Sequence, residues 1–129
     1  MALGSGVIRI TSEPGWPGNT FISLQLDKGQ LAGRIIYYAE NITPTVNVGQ
    51  HVNAGDVVGI LHDAYPYLEI GWAGGGTMGG TLGDALARSK GGDREGVSTA
   101  VGVNFNQLLV LLGAPSGIQQ GVMGTLPSS

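Results

Sequence analysis

The sequence has no cysteine, so disulfides, thiolate zinc sites and cysteine nucleophiles are all excluded. Charge is scarce as well: Asp, Glu, Lys and Arg make up 12% of the 129 residues, about half the usual share. The six basic residues, Arg9, Lys28, Arg34, Arg88, Lys90 and Arg94, form no run. The last three are loosely grouped, but Asp84, Asp93 and Glu95 lie among them. Phosphate neutralisation needs a concentrated basic face, so nucleic acid is not an expected partner. No apolar run is long enough to span a bilayer, so no membrane role is expected. Residues 1–10 lack the basic stretch and long apolar run of a secretory leader. No internal repeat is visible.

What is abundant is glycine, at 24 positions, which favours tight turns and β architecture over helical bundles. Residues 7–10 read as a first strand, followed by a turn region at 11–18 broken by Pro14, Gly15, Pro17 and Gly18. Thr20 to Leu26 alternates, with Phe21, Ser23 and Gln25 on one face and Ile22, Leu24 and Leu26 on the other. A hairpin turn is expected at 27–30, then a β-branched and aromatic strand over 34–40. Short valine-bearing strands follow in 46–59, separated by Gly49 and Gly55. A last strand is expected at 67–72.

Beyond it the composition shifts. Residues 73–80 read as a glycine-rich loop and 82–88 as a short helix with Thr81 as its N-cap. Residues 90–96 form a polar loop. The strongest helix signal is 103–112, ended by Gly113 and Pro115, with a strand as the alternative for so dense an apolar run, and the tail over 116–129 reads as loosely ordered or docked at a partner. A helix apolar nearly all round needs burial on several sides, which makes 103–112 the candidate interface for a homo-oligomer or larger assembly. The alternative is that it packs on the β-domain of its own chain.

Three stretches carry a resemblance to a known family. They are Ile36-Tyr37-Tyr38-Ala39-Glu40, then Val48 through Gly59 (Val-Gly-Gln-His-Val-Asn-Ala-Gly-Asp-Val-Val-Gly), and Tyr65-Pro66-Tyr67-Leu68-Glu69-Ile70. Together they make residues 7–72 similar to the core of lysostaphin-type (M23-like) metallopeptidases. The resemblance implies a mainly-β fold, a duplicated-hybrid-motif (lipoyl-like) β-sandwich or barrel core with one or two C-terminal helices. It divides the chain into a β core at 1–72, the loop at 73–80, and a helical extension and tail at 81–129 packed on the same domain.

The departures from that family decide the expected function. Its zinc is held by an early histidine, an aspartate a few residues later and the second histidine of a His-x-His strand. The chain starts downstream of the first two, and Tyr67 stands at the third position. The auxiliary histidines fall on Glu40 and Tyr65. Zinc needs three converging protein donors to activate water, and neutral tyrosine, with a pKa of about 10, is a poor substitute. No metal and no cofactor are therefore expected. The lipoyl and biotinyl carriers that share the hairpin need a lysine flanked by methionines, which neither Lys28 nor Lys90 has. His51 and His62, the remaining imidazoles, read as polar loop residues, since the adjacent His62-Asp63 pair is not by itself a site.

Strand alternation puts Tyr65, Tyr67 and Glu69 on one face, and Tyr38 with Glu40 on one face of the other matched strand. The resemblance makes these faces the walls of a shared groove, with Trp16 and Trp72 flanking it. Tyr38, Glu40, Tyr65, Tyr67, Glu69 and Trp72 are thus the candidate ligand-binding residues. Aromatic rings beside carboxylates suit stacking on sugars or holding a peptide. Three readings stand: a peptidoglycan-like glycan or peptide is bound without cleavage; Glu40 and Glu69 act as a glycosidase acid/base pair; or the residues are structural, with the tyrosines filling the emptied metal pocket. The first places the protein at a cell wall, outside the cell or in a virion; the third suits a structural subunit of a phage or other assembly.

Overall fold

A computed structural model describes residues 1–74, 78–87, 97–117 and 122–123. Its strands are β1 (Gly6–Ser12), β2 (Thr20–Leu26), β3 (Ile35–Ala39), β4 (Ile42–Pro44), β5 (His51–Val52), β6 (Gly59–Leu61) and β7 (Glu69–Ala73). Helix α1 (Leu82–Ala87), β8 (Ser98–Thr99), α2 (Ala100–Leu111) and β9 (Val122–Met123) follow. The fold is mainly β, with antiparallel sheets and a C-terminal helix. The loop expected at 90–96, with Lys90, Asp93, Arg94 and Glu95, lies outside the described residues, as do Arg88, residues 75–77 and most of the tail. Among the described residues, no helix is long and apolar enough to cross a membrane.

The main sheet runs β5-β1-β2-β3-β7, every pairing antiparallel. The alternation in β2 determines how it is buried. Ile22, Leu24 and Leu26 join Ile8, Ile36, Tyr38 and Trp72 in the principal core, which α2 covers with Val101 and Phe105. On the opposite face Phe21 packs with Tyr37, Ala39 and Ala73 under Trp16. The Phe21 and Tyr37 rings stack at 5.0 Å, and the Trp16 ring lies 4.9 Å from Phe21. Each such fully buried side chain contributes about 1.5–3 kcal/mol through removal from water. Apolar cover on both faces explains why β2 is buried along most of its length.

Several expectations are corrected in detail. The turn after β2 is longer than the expected 27–30: Gly33 N–H closes it onto Leu26 C=O at 2.7 Å, with Gly29 and Gly33 both at positive φ. In the 46–59 stretch, Val46, Val52 and Val58 are buried as plugs into the core, and only β5 and β6 enter ladders. Gly49 and Gly55 sit at φ 86° and 88° with open space where a Cβ would go, so conformation and not crowding requires glycine there. Strand β4, pairing with β6, was not anticipated.

The last strand starts at Glu69, two residues later than expected, because Pro66 has no N–H to give a ladder and the chain around it forms a loop. Helix α2 starts at Ala100 and not at Val103, since the Thr99 hydroxyl accepts from Gly102 N–H at 2.9 Å and caps it. It ends as expected, with Gly113 at φ 95° donating to Val110 C=O at 3.0 Å. Thr81 likewise caps α1, accepting from Asp84 N–H at 3.1 Å. Burial of α2 on several sides is not observed: Val101 and Phe105 are buried, while Val110, Leu111 and Leu112 are exposed.

Candidate functional site

The site begins where β3 ends. Tyr38, on the last turn of the alternation, points into the principal core, where its hydroxyl accepts from Leu3 N–H at 3.0 Å. Burial pushes that phenol up to about 12, so it stays neutral and structural. The next residue but one, Glu40, has φ 70°, in the left-handed region that a side chain longer than glycine enters at a cost. This reversal carries the chain straight into β4. Glu40 is half-buried and lines a cleft of about 330 Å³ together with Thr20, Asn41, Thr43, His62 and Pro66.

The pairing of β4 with β6 brings the two sides of this cleft together. Ile42 pairs with Leu61 and Thr43 with Ile60, which sets His62 beside Thr43. Thr43 Oγ1 and His62 Nε2 are 2.7 Å apart. Asn41 then ties the following loop down: its C=O accepts from His62 N–H at 2.9 Å, and its Nδ2 donates to the carbonyls of His62 and Ala64. The loop so anchored carries Tyr65 and Tyr67 on either side of Pro66. Their rings stand nearly perpendicular with centroids 6.2 Å apart, 84% and 68% exposed.

The carboxyl of Glu40 is held above the ordinary glutamic-acid range, first by its burial and then by the negative charge of Glu69. Glu69, whose backbone pairs with Ala39, accepts a 2.6 Å hydrogen bond at Oε1 from the Tyr37 hydroxyl. It borders a separate cleft of about 270 Å³ between β7 and the start of α2. The two carboxylates therefore sense one another but line different clefts.

The six residues singled out from sequence do not form one groove. Tyr38 and Trp72 are buried in the core, where Trp72 Nε1 donates to Asn104 Oδ1 at 3.0 Å and its ring meets Phe105 edge-on. Trp16 covers the other face of the sheet and donates from Nε1 to Gly79 C=O at 3.1 Å. Tyr65 and Tyr67 are not on a strand face with Glu69, and neither fills a pocket; their exposure corrects the picture of tyrosines packed into an emptied metal site. Glu40 is the one that lines the polar cleft. Not singled out from sequence were Asn41, Thr43 and Tyr37, and His62, read there as a polar loop residue, lines the cleft. Nothing in the residue types joins Thr43 to His62, because the β4–β6 register does so across 19 positions.

Among the described residues, no three His, Cys, Asp or Glu side chains converge as a metal centre would require. What the cleft offers is a carboxyl and a hydroxyl–imidazole pair, with two exposed phenol rings on the residues either side of Pro66, which lines it. That set can exchange hydrogen bonds with a polyhydroxylated ligand while aromatic faces cover its apolar side. Comparison with models of known protein families, with curated proteins and with solved structures finds no match.

Proposed function

We propose that this chain is a non-catalytic binding module for peptidoglycan-like cell-wall material, with the Glu40–Thr43–His62 cleft as its glycan site. The observation that carries this reading is the pair of exposed rings, Tyr65 and Tyr67, flanking the cleft-lining Pro66 on a loop that Asn41 ties down at His62 and Ala64. Large aromatic side chains left in water beside hydrogen-bonding groups suit a ligand that covers them. The left-handed Glu40 is a second support, since strain of this kind collects at ligand-binding positions.

The reading rests further on the resemblance to lysostaphin-type (M23-like) peptidases, with a duplicated-hybrid-motif core and with Glu40, Tyr65 and Tyr67 at the positions of catalytic and zinc-binding histidines. On that view the cleft is what remains of a peptidase groove after its metal chemistry was lost. Its place of action is then the cell wall, the extracellular space or a virion. The helical extension at 81–129 belongs to the same unit, in keeping with the Trp72–Phe105 contact.

The decisive experiment is co-sedimentation with purified peptidoglycan. The protein is expected in the pellet, and Tyr67→Ala and Tyr65→Ala each weaken retention roughly two- to tenfold, the value of one aromatic contact. Absence from the pellet at every salt concentration, or retention unchanged in both variants, overturns the reading. A hydrolytic alternative takes Glu40 as the acid of a glycosidase pair, its carboxyl held above the ordinary range by burial and by the charge of Glu69. Release of reducing ends that Glu40→Gln abolishes would replace binding with glycoside hydrolysis.

A further inference from the structure

The connection from β6 to β7 carries Tyr65 and Tyr67 two positions apart, with the cleft-lining Pro66 between them. On an extended segment, side chains at that spacing point the same way, and their rings can lie side by side in one plane. Such a platform supports successive units of a linked sugar chain, each unit stacking on its own ring. These two rings form no platform. Their planes meet at 88° with centroids 6.2 Å apart, in an edge-to-face contact. A flat ribbon of sugars can lie along only one of two perpendicular faces, and the other ring stands across its path. Two rings set as a corner bracket a single sugar ring from two sides. At 84% and 68% exposure, both are open to it.

The cleft agrees in its size and in the placing of its polar groups. Its volume of about 330 Å³ is at the small end of the range that small-molecule sites occupy. Part of its polar lining is already engaged. Asn41 Nδ2 donates to the carbonyls of His62 and Ala64, and Thr43 Oγ1 lies 2.7 Å from His62 Nε2. The hydroxyl–imidazole pair therefore meets a ligand as one polar spot, and the Glu40 carboxyl supplies a second. The hydroxyls around one sugar ring can serve two such spots, whereas a row of linked units needs a row of them.

We propose that the glycan site takes a single sugar unit, so that affinity is set by that unit and does not grow with the length of the chain attached to it. This rests on the glycan reading of the cleft and adds the size of the element recognised: one ring, bracketed by Tyr65 and Tyr67 and hydrogen-bonded at Glu40 and the Thr43–His62 pair.

Amide NMR on the full chain tests it, with N-acetylglucosamine and its linked dimer and tetramer as probes. All three are expected to shift the same amides, those of Asn41, Thr43 and His62, saturably and with level affinity per sugar unit. A second stacked unit would instead raise that affinity roughly two- to tenfold. Tyr65→Ala and Tyr67→Ala are each expected to weaken the monosaccharide by about the same factor. Both side chains stand in water, and unchanged amides of Ile8, Leu24 and Trp72 establish that the variants are folded. Affinity per unit that climbs from monomer to tetramer, or shifts that spread to further amides with each added unit, overturns the single-unit site and leaves the glycan reading standing. Binding of the tetramer with none of the monomer has the same meaning. Absence of a saturable shift with all three sugars overturns the glycan reading and this proposal together.

Discussion

Glu40 combines a backbone conformation that favours glycine with a carboxyl that its surroundings disfavour in the charged form. Both features oppose stability, and both are confined to one residue at the mouth of the polar cleft. Replacing it with glycine removes them together. Glu40→Gly is expected to raise the stability to unfolding by up to about 1 kcal/mol, the left-handed penalty less the extra backbone entropy of glycine. The sign of its pH dependence follows from the raised folded-state pKa. The folded protein holds the neutral carboxyl more readily than the unfolded chain, so the associated stability is present below the unfolded value. It is lost as pH rises through the folded one. The gain from Glu40→Gly is therefore larger at pH 7 than at pH 4, while retention on peptidoglycan falls. Urea unfolding at the two pH values checks this; a variant less stable than the parent at pH 7 would contradict it. Glu40 could be singled out in the sequence because it ends the β-branched and aromatic run over 34–40, and it does line the polar cleft. The residues that line the cleft with it were not legible as a group, because Asn41, Thr43 and His62 come together through a left-handed turn and a two-stranded ribbon that no alternation pattern announces.

At the level of elements, α2 is held by Val101 and Phe105 in the principal core, with Leu108 and Leu109 packed against it, the Phe105 ring edge-on to Trp72 at 5.1 Å and Asn104 accepting from the same indole. Its cap at Thr99 adds a local bond. These differ in kind, and so in size. Phe105→Ala opens a cavity in the principal core and is expected to cost about 3–5 kcal/mol. Thr99→Ala loses one capping hydrogen bond and costs about 1 kcal/mol. Thermal melts of both variants check the order, and a larger loss for Thr99→Ala would show that the helix is not anchored through its ring. The C-terminal end of α2 could be read from Gly113, whose φ 95° closes the last turn. The N-terminal end could not, because Ala100-Val101-Gly102 includes a poor helix former and only the Thr99 cap commits it. The bounds of strand β2 were legible, but its alternation indicates a half-buried strand, whereas Phe21 is buried on the second face as well. The Tyr65–Tyr67 stretch alternates just as well and is no strand, which shows that the period alone fails where a proline removes the ladder donor.

For the molecule as a whole, the apolar surface left in water is the feature the polar cleft does not explain. Leu111 and Leu112 at the end of α2 are 85% and 57% exposed, beside the exposed Val110. The β-ribbon adds Ile60 and Leu61, with Val57 just before it. A net charge of −3 supplies little repulsion between copies, so nothing in the charge balance opposes contact through these side chains. This is the observation in favour of an assembly role, and it also says which substitutions test one. Leu109 packs against the principal core, so a charge there would disturb the fold and report nothing about association. Leu111 and Leu112 face water and can be changed without opening a cavity. If the end of α2 is an interface, light scattering is expected to give a mass that rises with concentration, and Leu111→Lys with Leu112→Lys to return it to that of one chain with the melting temperature unchanged. A parent protein that stays at the mass of one chain at high concentration would remove the interface, and with it the case for an assembly subunit. The exposed leucines would then be surface that 129 residues with so few charged side chains cannot cover.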